Sequence, residues 1–96
     1  MLEIRPTCEN CNKKLPPESL DAMICTYECT FCKECVDNVL HNVCPNCGGG
    51  FVKRPIRPKV QLRKHPASEK VIFKPVEMSD FKKLLDKYKG IHPSKR

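Results

Sequence analysis

The chain predicts a small metal-held α+β fold: a short hairpin and one helix, followed by a basic extension that ends in a second helix. Three observations predict it. Eight cysteines lie between positions 8 and 47 of a 96-residue chain. Six of them fall in the run CTYECTFCKECVDNVLHNVCPNC from Cys25 to Cys47, and Cys8 and Cys11 form a CxxC pair upstream. About fifty residues are too few to rely on a hydrophobic core alone, so metal must supply folding free energy.

A CxxC turn lets two sulfurs face one ion, and four sulfurs at about 2.3 Å make a closed tetrahedral Zn²⁺ site with no open position. Eight cysteines make two such sites with none left over. The rival reading is a secreted disulfide framework. Met1-Leu2-Glu3-Ile4-Arg5-Pro6 opens with two charges and a proline, against the apolar core of a secretory leader. No stretch approaches the ~20 apolar residues of a membrane-spanning helix. The expectation is therefore a cytoplasmic protein with reduced, metal-bound thiols and no membrane partner.

Charge divides the chain. Residues 1–50 carry four Lys/Arg against seven Asp/Glu, or −3, and residues 51–96 carry fourteen against four, or +10. Metal-bound cysteines are thiolates, so two zinc ions on eight of them take the first half to −7. These halves are the two expected units: a two-zinc module over 1–50 and a basic, Pro-rich extension over 51–96.

In chain order, residues 1–7 read as a lead-in or an edge strand, and Cys8-Glu9-Asn10-Cys11 as the first knuckle. Leu15-Pro16-Pro17-Glu18-Ser19 reads as a turn, because consecutive prolines exclude helix and ladder hydrogen bonds. Ala22 to Tyr27 and Thr30-Phe31 form a hairpin closed around Glu28. From Lys33 the period changes: Val36, Val39, Leu40 and Val43 recur at i, i+3, i+4 and i+7, an apolar helix face of about three turns that serves as core. Pro45 and Gly48-Gly49-Gly50 read as flexible termination.

Pro55 and Pro58 favour extended backbone through Phe51–Lys59. Val71-Ile72-Phe73 reads as a short strand. A helix over 79–89 follows, capped by Ser79 or Asp80 and stopped by Gly90, with Phe81, Leu84, Leu85 and Tyr88 as an apolar stripe and Lys82, Lys83, Lys87 and Lys89 in water. Such a stripe packs on the module or on a second copy, so monomer and homodimer both stay open.

The cysteine spacing, C-x2-C-x13-C-x3-C-x2-C-x2-C-x8-C-x2-C, resembles the RING-type cross-brace, in which alternate ligand pairs hold two interleaved zinc ions. Cys29-Thr30-Phe31-Cys32 matches the aromatic before the fifth ligand, and Pro45 matches the proline of the last CxxC. That resemblance implies a RING-like, treble-clef fold, with Cys8, Cys11, Cys32 and Cys35 on zinc 1 and Cys25, Cys29, Cys44 and Cys47 on zinc 2. Cys29 stands where most RING domains have histidine. The sequential alternative places Cys8, Cys11, Cys29 and Cys32 on one metal and Cys25, Cys35, Cys44 and Cys47 on the other. His41 could replace a cysteine ligand, although a helix-surface residue is the simpler reading. Over about sixty residues, MLEIRPTCENC, LPPES, ECTFCKEC, VCPNCGG and RPIRP resemble the bacterial family catalogued as domain of unknown function 1272, which implies a cytoplasmic zinc protein and no assigned activity.

No catalytic constellation stands out. With both metal sites full, no cysteine is free as a nucleophile, and His41, His65 and His92 are scattered. The expected role is an interaction module for a protein partner, not an enzyme. The alternative is nucleic-acid binding through Lys53, Arg54, Arg57, Lys59, Arg63 and Lys64, although no aromatic after Phe51 interleaves with these charges. Ubiquitin-ligase-like transfer, common among RING domains, fits less well. Glu9-Asn10 stand where those domains place an aliphatic residue, and Gly48 where they often place a basic one.

Overall fold

The computed structural model describes residues 1–96. Its centre is a three-stranded antiparallel sheet with strand order β2-β1-β3: β1 is Ala22–Ile24, β2 is Thr30–Cys32 and β3 is Val52–Lys53. The hairpin expected between Ala22 and Phe31 forms, with Met23 opposite Phe31 and Ile24 opposite Thr30. Glu28, at φ +63°, turns the chain back, and Cys25 and Cys29 close the loop through the Cys25 N–H to Cys29 carbonyl bond of 3.2 Å. Of the lead-in, only Thr7 makes a bridge, to Lys14.

β3 takes the other edge of β1, with Met23 opposite Lys53. Nothing in the residue pattern announces this strand, because two residues cannot show a period. Val71-Ile72-Phe73, expected as a strand, forms none and joins no ladder of this sheet.

The helix after β2 starts where its pattern begins and stops early. α1 (Lys33–Cys35) runs into a π-helical turn over Val36–Leu40, and His41 and Asn42 then turn left-handed. Asn42 N–H reaches back to the Val36 carbonyl at 3.1 Å, while its side-chain oxygen takes the Phe51 N–H at 2.9 Å. The wider turn ends the helix one turn before the apolar period does. Val43 is nevertheless fully buried, so the period reported burial correctly beyond the helix itself.

Pro58 precedes a short helix, α2 (Lys59–Lys64), where extended backbone was expected to reach Lys59. The last helix, α3, is Met78–Tyr88. Glu77 occupies its N-cap without a side-chain capping bond, and neither Ser79 nor Asp80 caps it; Ser79 Oγ donates to Glu77 Oε1 instead. Phe81 and Leu85 are buried in the same core as Phe31, Leu40, Val43 and Phe51, with Leu84 and Tyr88 against its edge. Phe31 and Phe51 meet edge to face at 5.4 Å. No helix is long and apolar enough to cross a membrane.

Candidate metal centre

Two knuckles and a hairpin bring the cysteines together. Each knuckle is tied by its own backbone: Asn12 N–H reaches the Cys8 carbonyl and Gly48 N–H the Cys44 carbonyl, at 2.9 and 2.8 Å. The hairpin places Cys25 and Cys29 in its loop and carries Cys32 and Cys35 away into α1. As a result, the thiols of Cys8, Cys11, Cys32 and Cys35 all lie within 4.8 Å of one another, and so do those of Cys25, Cys44 and Cys47. The two clusters interleave along the chain. Cys35, not Cys29, completes the set around Cys8, Cys11 and Cys32.

Cys29 falls outside the mutual set of three, although the Cys44 and Cys25 thiols are among the groups that set its acidity. All eight thiols are free of disulfides. His41 caps the π turn, exposed, and belongs to neither cluster.

The dimensions suit a tetrahedral thiolate-bound ion. Sulfurs about 2.3 Å from a common centre stand about 3.8 Å apart along each edge. Cys11 and Cys32 sulfurs are 3.8 Å apart. The surroundings also suit thiolates, since N–H groups point at the sulfurs. Tyr27 N–H donates to Cys25 at 3.3 Å and Gly49 N–H to Cys47 at 3.4 Å. Asn10 Nδ2 donates to Cys35 and Asn46 Nδ2 to Cys29, each at 3.4 Å. Partners of this kind orient metal ligands and disperse their charge. Sequence reading missed both asparagines, although each sits inside a CxxC, where a side-chain amide can reach a sulfur across the site.

The thiols differ in acidity. Burial pushes Cys25 up to about 11 and raises Cys32 and Cys35. Hydrogen bonding from the Cys44 thiol brings Cys29 down to about 5, and the same pairing, with burial, lifts Cys44. Burial works against ionising Cys11, but hydrogen bonds from the Lys13 backbone and neighbouring thiols leave it lower. Cys29, which the second cluster leaves out, is thus the thiol most inclined to ionise.

Glu9 is structural. Buried inside the first knuckle, its Oε2 accepts the Thr30 N–H at 2.6 Å and Arg5 at 3.0 Å. That carboxylate ties the knuckle to β2, which explains the charged residue in the first CxxC.

The basic segment is less available than its composition suggests. Arg54 is 4% exposed and donates to the carbonyls of Arg5, Leu15 and Pro16 at 2.8 to 3.0 Å. It cannot meet a phosphate without unfolding those loops, which corrects its assignment as a contact residue. Arg57 bonds the carbonyls of His65 and Leu2. Lys53, Lys59, Arg63 and Lys64 remain exposed.

The glycine run is likewise not a flexible end. Gly48 has φ +77°, and a Cβ there would lie 2.8 Å from the Tyr88 ring; one on Gly50 would lie 2.6 Å from Pro93. Arg96 closes the clasp, donating to the carbonyls of Asn42 and Gly48 at 2.9 and 3.0 Å.

The family described as "Protein of unknown function (DUF1272)" matches residues 1–57, both cysteine clusters included. The chain belongs to this family. A relative, "Uncharacterized protein R02474" of Rhizobium meliloti (strain 1021), is 56% identical over 75 residues, covering 78% of this chain and 89% of that protein. No solved structure matches. The family match ends before α2 and α3 begin.

Proposed function

We propose that the chain is a structural zinc module of RING-like, cross-braced type, with Cys8, Cys11, Cys32 and Cys35 on one Zn²⁺ and Cys25, Cys29, Cys44 and Cys47 on the other. Its function is to present a rigid platform to a protein partner, and it carries no catalytic residue of its own. The observation behind this reading is the interleaving of the clusters, which ties residues 8–47 into one unit held at two points. Thiolate sets favour zinc among divalent ions that do no redox chemistry, and bound zinc would hold the knuckles and α1 in place. Cys29 completes the second site with a small shift of its hairpin loop.

A protein partner fits better than nucleic acid. Arg54 is withdrawn into the fold and Arg57 is engaged by backbone carbonyls, so the basic segment keeps four free cations and no stacking aromatic. The ubiquitin-ligase reading fares worse, because Glu9 and Asn10 are committed to internal bonds. Native mass spectrometry tests the reading. Two zinc ions per chain and loss of amide protection on chelation support it; a protein that stays folded with one metal or none overturns it.

A further inference from the structure

Between the first and last knuckles lies a face built by residues of the family-matched part, with Glu9, Phe31, Pro45 and Asn46 on its floor. α3, from outside that part, lies across it. The fit is incomplete: a cleft of about 280 Å³ remains between this floor and Phe81 and Leu84 of the helix. Only Phe81 and Leu85 of α3 are buried, and its N-terminus has no side-chain cap. Leading to it, residues 65–77 form no regular structure and touch the first knuckle through two backbone donors. These are Lys74 N–H to the Glu9 carbonyl and Val76 N–H to Asn10 Oδ1, at 2.8 and 2.9 Å. A helix end with a poor cap and an irregular tether is among the first parts to open, so α3 would lift from its N-terminal end, while Tyr88 on Gly48 and Arg96 on the Asn42 and Gly48 carbonyls hold the other end.

We propose that this face is a receptor for a basic amphipathic helix of a partner protein, with α3 as the built-in occupant that such a helix displaces. This rests on the interaction-module reading and names the chemistry of the partner. The chain itself shows what fits: apolar residues spaced as Phe81, Leu84, Leu85 and Tyr88 facing in, and lysines such as Lys82, Lys83 and Lys87 facing out. Helix-in-groove recognition uses this i, i+3, i+4, i+7 spacing. Charge favours the pairing, since residues 1–50 carry net −3 before any thiolate is counted. The unfilled cleft gives a partner its advantage, because a bulkier side chain over Phe31 and Pro45 would fill space that α3 leaves empty.

Displacement is tested with the full chain carrying Phe81→Asp and Leu85→Asp, which should free the face, and a fluorescent synthetic peptide of residues 74–96 as the probe. Metal content is measured on each sample. The variant should keep its metal and bind the peptide saturably, with wild type at least tenfold weaker because its own helix occupies the face. A peptide carrying the same two substitutions should not bind. Metal-loaded variant that binds no peptide overturns the proposal and leaves the zinc-module reading intact, as does wild type binding equally well. If the variant loses its metal while wild type holds two ions, α3 is integral to the core and the proposal also fails. Absence of metal from wild type would instead overturn the zinc-module reading.

Discussion

Gly48 lies directly beneath the ring of Tyr88: a Cβ there would come 2.8 Å from Cε2, on a backbone already at φ +77°. Glycine is required twice over, for left-handed backbone and for close approach of α3. Gly48→Ala should therefore cost about 1–3 kcal/mol, combining left-handed strain with displacement of the ring. Hydrogen exchange would localise the effect. Amides from Phe81 to Tyr88 should lose protection while metal content stays unchanged.

Arg54 gives the second prediction. It is buried without a carboxylate, and its guanidinium holds three carbonyls from two separate loops. Burial lowers its pKa, but a guanidinium keeps its proton in proteins. Lysine presents one ammonium where the fork serves three acceptors. Arg54→Lys should lose about 2–4 kcal/mol, since buried carbonyls left unpaired each carry a desolvation cost. Lys53→Ala, one residue away and exposed, should be near neutral. Thermal unfolding of the metal-loaded proteins compares them.

These two residues also show what the sequence could reveal. The cysteine spacing announced metal-sized clusters and the hairpin between them, because thiol geometry is local and tightly constrained. The apolar period from Val36 to Val43 and from Phe81 to Tyr88 identified the buried residues even where helix ends were misplaced. What stayed hidden depends on distant partners. Arg54 looks like its exposed neighbours until the carbonyls of Leu15 and Pro16 are brought to it. The glycine run looks flexible until Tyr88 and Pro93 are laid upon it. β3 is two residues long and exists because β1 has an open edge.

Protons provide a third test. Burial lifts Cys25 from 9.0 to about 11, so between those values the folded chain holds a proton that the unfolded chain gives up. Folding without metal thus favours the neutral thiol, and that contribution is lost as pH rises from about 9 toward 11. Metal binding reverses the sign, because a ligand sulfur must be a thiolate. Loading at pH 7 should release at least two protons per chain, and the loaded protein should give up metal as pH falls. Calorimetric titration in buffers of different ionisation enthalpy counts those protons. A release near zero would mean that the buried thiols are not ligands.

The central claim is that two ions are held by interleaved pairs, and cadmium substitution tests it most directly. With ¹¹³Cd in both sites, proton–cadmium correlation spectra assign each cysteine to its ion. Two cadmium signals are expected in the range of four-sulfur sites. One should couple to the β-protons of Cys8, Cys11, Cys32 and Cys35, and the other to those of Cys25, Cys29, Cys44 and Cys47. A single cadmium signal, or one ion coupled to both Cys8 and Cys29, would contradict the account.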